Sequence, residues 1–227
     1  MGSGMKPIEF NDFLQKTQFS LQDLYFPSFD NIKYVIGLRE MREIVSVNAM
    51  SKKYLSNLLS KIGTVGSFNE KVYKNSTIHF IRIDPHSLRL GQKFVYRKNY
   101  ISILENFPNI FDAFHISRGI SKLTAFIILG KDSNGDSVLA HYIPPIVEIH
   151  NGHLLLMDGV HRNFIVKNSG TTIESIVISN VNTPFPCTAH KWSQIKITDN
   201  KPENINDRYF DLQQELFRDL KSIGIDG

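Results

Sequence analysis

The sequence predicts an α/β (α+β) fold: a small mixed sheet built round a strand–turn–strand–helix–strand unit, with an N-terminal helical extension and a C-terminal covering helix. Three observations carry that expectation. Between residues 143 and 179, short apolar runs are separated by Pro144-Pro145, Asn151-Gly152, Asp158-Gly159 and Gly170, the punctuation of alternating strands and one helix. Within residues 5–75, Tyr54, Leu55, Leu58, Leu59 and Ile62 share one helical face. Tyr209, Leu212, Leu216 and Leu220 form a second helical stripe near the end. The expected division is a helical extension over 5–75, a core over 76–200 and a helix over 201–227.

Taken in order, Phe13, Leu14, Leu21 and Leu24 fit short amphipathic turns that Pro27 interrupts. Residues 38–47 read as helical, though their β-branched side chains oppose it. Ser51 is a good N-cap for the following helix, and Gly63 a suitable stop. The Gly-, Ser- and Asn-rich residues 64–75 read as a link. Residues 78–83 form a strand stopped by Asp84-Pro85, and residues 100–107 a short helix ending at Pro108. Residues 123–129 and 137–143 pair as a hairpin round Asn134-Gly135. Pro144 and Pro145 end that pairing, since neither donates a ladder hydrogen bond. Strands over 146–150 and 154–157 flank Asn151-Gly152, and a helix from Val160 to Gly170 leads to a strand over 173–179. That last strand is expected to run parallel to 154–157 through a right-handed crossover. The terminal stripe covers the sheet or a second subunit, which makes a homodimer possible.

Composition narrows the function classes. The chain has 227 residues, 41% of them hydrophobic, enough for a sizeable core and against global disorder. The net charge of +4 is mildly basic, yet no run of five basic residues occurs, so nucleic acid is possible but not favoured. Cys187 is the lone cysteine, which rules out an intramolecular disulfide and a cysteine-rich zinc site. No apolar run approaches the roughly 20 residues of a membrane span, and no signal-peptide pattern opens the chain. Met1–Gly4 reads as an addition ahead of a natural start at Met5. A reduced, cytoplasmic protein with no membrane partner is expected.

The strongest chemical signal is Asp158-Gly159-Val160-His161-Arg162, where an apolar strand turns into a helix. Strand ends of this kind leave a crevice where ligands bind. Gly159 permits a tight turn and close approach of a ligand to the backbone. A helix starting near Val160 would aim its free N–H groups and positive dipole end at the crevice, a natural phosphate cradle. Arg162 can grip phosphate oxygens bidentately, and His161 can donate a hydrogen bond or shuttle a proton. Asp158 can bind a metal ion, orient a hydroxyl or accept its proton. The plainer alternative stays open: Asp158 caps the helix, His161 is a satisfied buried histidine, and Arg162 pairs with Asp158.

With its flanks, residues 143–147, Asn151-Gly152, Gly170 and the strand 173–179, this corner resembles the ParB/sulfiredoxin-like superfamily. The resemblance covers about 40 residues, and about 100 if residues 78–129 supply the rest of that fold. Members include ParB-type partition proteins that bind CTP, sulfiredoxins that use ATP, and free-serine kinases. The implied common property is binding of nucleotide phosphates at the corner by Gly159, Val160, His161 and Arg162. Two departures matter. Where sulfiredoxins carry a catalytic cysteine this chain has Val160, which argues against sulfinic-acid repair. Partition proteins have Glu-Arg-Arg at the corner and a helix-turn-helix downstream, and neither is present here. The motif is most similar to that of the kinase-type members. That likeness implies His161 and Arg162 on phosphates, with Asp158 on metal or substrate.

The remaining constellations are weaker. Asp132–Asp136 superficially resembles a calcium loop, but its glycine is misplaced and Ile143 stands where the twelfth-position glutamate belongs. His150 and His153 have no further ligand pair at suitable spacing, and Cys187 reads as a semi-buried thiol. In the segment 184–192, Thr188, His190 and Lys191 would fold over the nucleotide with Trp192 on its base, or else form a structured loop. Arg82, Arg89, Arg97 and Lys98 add positive charge that serves phosphate, nucleic acid or a solvated face. The leading expectation is an ATP- (or CTP-) and Mg2+-dependent phosphotransferase of kinase type, acting on a small molecule or protein. Asp158 and His161 would be its catalytic pair, with Lys191 among the nucleotide-binding residues. A nucleotide-dependent switch, a DNA- or partner-binding module and a nuclease-like activity are the alternatives.

Overall fold

The computed structural model describes residues 5–20, 31–67, 69–105 and 124–225. It is an α+β fold with two mixed sheets, divided into two units. One unit comprises residues 1–74, 124–143 and 218–227, and the other residues 75–123 and 144–217.

In the first unit, β1 (Ile8–Glu9), β2 (Tyr34–Val35), β3 (Glu43–Ala49), β7 (Phe126–Lys131) and β8 (Ser137–Tyr142) form a sheet in the order β1-β2-β8-β7-β3. The β7–β8 hairpin is central. Asp132 closes it by accepting hydrogen bonds from Asn134 N at 2.8 Å and Asp136 N at 3.0 Å, with Gly135 at φ 80°. The calcium-like sequence is therefore an Asx-type turn. Helix α1 (Phe10–Thr17) buries Phe10, Phe13 and Thr17 along one face. Helix α2 (Lys52–Ser60) starts at Ser51, whose hydroxyl accepts from Tyr54 N at 3.0 Å, and buries the expected Tyr54, Leu55, Leu58 and Leu59.

In the second unit the order is β4-β11-β9-β10-β5, from β4 (Thr77–Ile83), β5 (Arg89–Leu90), β9 (Ile146–His150), β10 (His153–Leu156) and β11 (Ile173–Ser179). A two-stranded ladder joins β6 (Phe94–Tyr96) to β12 (Lys196–Thr198) in parallel. Helix α3 covers residues 97–105, and α4 is Val160–Asn168. One sheet face presents Val147, Leu156, Val177 and Leu90 to a core that includes Val160, Leu88 and Val95, with Phe164 and Trp192 packed against it. Asn151 and Gly152, at φ 50° and 75°, close the β9–β10 hairpin as expected of an Asn-Gly turn. Among the described residues no helix is long and apolar enough to cross a membrane.

Four expectations need correction. Residues 38–47 are a short 3-10 turn, Leu38–Glu40, followed by β3. There the β-branched Ile44, Val45 and Val47 favour the pleated conformation, and β7 supplies a partner strand. The C-terminal stripe is not an α-helix. Its residues lie in 3-10 turns and extended chain, because Tyr209 bridges Gln92, Phe210 N donates to Gly91 O at 2.8 Å, and Asp211 sits at φ 46°. Backbone spent on lateral pairing cannot make i→i−4 bonds.

The unit boundaries also differ. Residues 5–75 are not a purely helical extension, since they give three strands to the first sheet, and the hairpin of β7 and β8 belongs with them rather than with the core. Residues 64–74 are part of that unit, with Val72 and Tyr73 buried. Finally, β11 runs parallel to β9 and so opposite to β10. The end of β10 and the start of β11 meet the same sheet edge, two strand spacings apart, or roughly 10 Å. A nine-residue helix of about 13 Å bridges that gap sideways without a return along the sheet. Leu21, Leu24, Pro27, Leu123, Phe107 and Pro108 lie outside the described residues.

Candidate functional site

The β10 strand ends with Met157 N and Asp158 N both donating to Ile146 O, at 2.9 and 3.2 Å, which fixes where the chain leaves the sheet. Gly159 then turns it at φ 90°. Two constraints hold glycine there. The φ value is left-handed, and a Cβ would stand 2.8 Å from Pro145 Cβ and 2.9 Å from its Cγ. Pro145 therefore both ends the preceding ladder and walls the turn. As N-cap, Gly159 offers no side-chain cap to α4. Val160 is buried in the core, and Asn163, wholly buried, donates from Nδ2 to Gly159 O at 3.0 Å.

The corner residues face distinct partners. Arg162 Nη2 donates to Asp158 Oδ2 at 2.9 Å, one helical turn away, and Asp158 is only 8% exposed. This is the pairing of the plainer sequence reading, and it holds Asp158 in a charge-assisted contact. His161 Nε2 accepts from Tyr96 N at 3.1 Å. When neutral, the ring therefore carries its proton on Nδ1 and acts there as a donor. Its Nε2 is committed to the backbone, so shuttling a proton through that nitrogen would break this bond.

Lys191 is placed differently. His190 bridges Leu90 in antiparallel sense, so the chain beyond His190 runs toward the Arg89 side of β5, away from Gly91. Since β5 is parallel to β10, the Arg89 side is the end remote from Asp158. Lys191 is exposed and caps the 3-10 turn Trp192–Gln194. The structure does not bring it to the corner. Trp192 donates from Nε1 to Pro85 O at 2.6 Å and packs beside Phe164, with Lys167 over its ring, so it serves the fold. His150 donates to the fully buried Glu148 at 2.6 Å and stands directly across the hairpin from the exposed His153, but among the described residues no set of three ligands is placed to hold a metal there.

Sequence reasoning missed Tyr96, Lys201, Arg208 and Tyr209. Tyr96 lies beside His161 with ring centroids 5.8 Å apart, and Lys201 Nζ lies 5.7 Å from the Tyr96 ring centre. Burial raises the acid strength threshold of both phenols, placing Tyr96 and Tyr209 above the usual tyrosine pKa. For Tyr209 burial is the main cause, and the charge of Arg208 opposes the rise. No local motif announces these residues. Tyr96 is 65 positions from His161 and meets it only through the fold.

For a metal, the donor set is sparse: among the described residues no group of three or more His, Cys, Asp or Glu is placed to hold one. Asp158 would be the protein's carboxylate for an ion held otherwise by phosphate oxygens and water, an arrangement magnesium accepts. Comparison with family models, curated proteins and solved structures finds no match to this chain.

Proposed function

We propose that the corner between β10 and α4 binds the phosphates of a nucleotide, ATP or CTP, and that the protein is a kinase-type phosphotransferase of the ParB/sulfiredoxin-like superfamily. The observation that carries this reading is the left-handed Gly159, which begins a helix without a side-chain cap and sets His161 and Arg162 in its first turn. Helix N–H groups, the guanidinium and the Nδ1–H of His161 are all donors suited to phosphate oxygens. Phosphoryl transfer asks the protein mainly for positioning and charge. An acceptor hydroxyl attacks the terminal phosphorus, its proton passes to Asp158, and the nucleoside diphosphate leaves. Magnesium, when bound, would neutralise charge on the phosphates, with Asp158 as its protein ligand. Lys191 has no part in this mechanism. The lone Cys187 suits a reduced cytoplasm, and the acceptor is a small molecule or a protein side chain.

A second reading draws on the Asp158–Arg162 pair. A phosphate that claims Arg162 releases Asp158, which suits a nucleotide-dependent switch with little turnover. Thermal unfolding with ATP, CTP, GTP and ADP, with and without magnesium, tests the site. One nucleotide is expected to raise Tm in the wild type and not in His161→Ala, because binding to the native state alone stabilises it. Absence of any shift would refute nucleotide binding. Turnover lost in Asp158→Asn with the nucleotide shift retained supports the enzyme; a retained shift without turnover in the wild type supports the switch.

A further inference from the structure

The Tyr96 side chain is 7% exposed, and its buried hydroxyl has no hydrogen-bond partner among the described residues. A buried hydroxyl left unpaired gives up its hydration with nothing in return, so its presence where phenylalanine would pack equally well needs a reason. Its surroundings point to one. The backbone of the same residue anchors His161, in the first turn of α4, and its ring lies alongside that imidazole. Lys201 stands over the ring, and Lys93 N, just ahead of β6, donates to Arg208 O at 2.8 Å, which brings Arg208 alongside the same strand. Arg208 is itself held by Pro202 O and Glu203 O, each at 2.7 Å, so its position is fixed before any ligand arrives.

We propose that the Tyr96 hydroxyl belongs to the anion site at the N-terminus of α4 and donates to a polyphosphate chain, with Lys201 and Arg208 extending the positive wall. The ligand class is then an inorganic or nucleoside polyphosphate, recognised by its phosphates rather than by its base. Lys201, on an exposed stretch, is the side chain an entering phosphate draws away from the ring. This inference rests on the nucleotide reading and names what that site recognises.

The test is thermal unfolding of the wild type and Tyr96→Phe with sodium triphosphate and with ATP. Triphosphate is expected to raise the wild-type Tm as ATP does. Tyr96→Phe should keep or exceed the wild-type Tm without ligand and bind either ligand about tenfold or more weakly, the loss of one charge-assisted hydrogen bond. A lower Tm in unliganded Tyr96→Phe would mean that the hydroxyl is structural and would overturn the inference. So would equal shifts in the two proteins, or a response to ATP without one to triphosphate; in those two cases nucleotide binding itself stands. If neither ligand shifts the wild type, both readings fall.

Discussion

Among single residues, His141 shows most directly what burial does to chemistry. Its Nδ1–H donates to Gly224 O at 3.1 Å, so Nε2 is the acceptor for the Tyr54 hydroxyl at 2.8 Å. The ring is 5% exposed, and desolvation holds its pKa down to about 4 against the ordinary 6.5, although the Gly224 bond opposes the shift. The folded state therefore stays neutral at a pH where the unfolded chain takes up a proton. Stability is fully present above pH 6.5 and declines as pH falls toward 4, by up to about 3 kcal/mol from this group. Urea unfolding at several pH values should show that loss, and His141→Gln should flatten it. Equal slopes in the two proteins would remove His141 as the cause. His161 contrasts with it: its accepting nitrogen meets a backbone N–H, so the tautomer it presents at the corner is set by Tyr96.

At the level of elements, turns and caps do much of the specifying. Ser51 accepts from Tyr54 N, and its replacement by alanine should cost about 1 kcal/mol, seen as a lower urea midpoint with an unchanged slope. An unchanged midpoint would mean that water satisfies that N–H equally well. The β9–β10 hairpin, α4 and β11 were legible almost to the residue, because Pro145, Asn151-Gly152, Gly159 and Gly170 act on their immediate neighbours. The terminal stripe at Tyr209, Leu212, Leu216 and Leu220 misled for the complementary reason. Helical spacing records only which side chains are apolar, whereas the backbone there pairs with Gly91 and Gln92, more than 100 positions earlier.

At the scale of the molecule, the first unit is assembled from three stretches of chain. The β7–β8 hairpin leans on both ends of the preceding segment: β2 pairs with β8, and β3 pairs with β7. A chain beginning at residue 76 would leave both hairpin edges open, with Ile128, Leu129 and Leu139 stripped of cover. Such a truncation is expected to aggregate on size-exclusion chromatography. A monodisperse, cooperatively unfolding product would refute the dependence of the hairpin on residues 5–75.

The α+β class, most strand limits and the Gly159–Arg162 corner follow from periodicity, turn residues and caps, all effects that act over a few positions. The direction of β11, the grouping of the hairpin with the N-terminal strands, and the exclusion of Lys191 from the corner depend on which distant strands pair. The same holds for the site's chemistry. Asp158 and Arg162 are one helical turn apart and readable as a pair, but the tyrosine that orients His161 and the lysine over its ring arrive from β6 and from beyond β12. Long-range pairing is chosen by the sum of buried area and satisfied hydrogen bonds over the whole chain, and no local stretch of residues contains that sum.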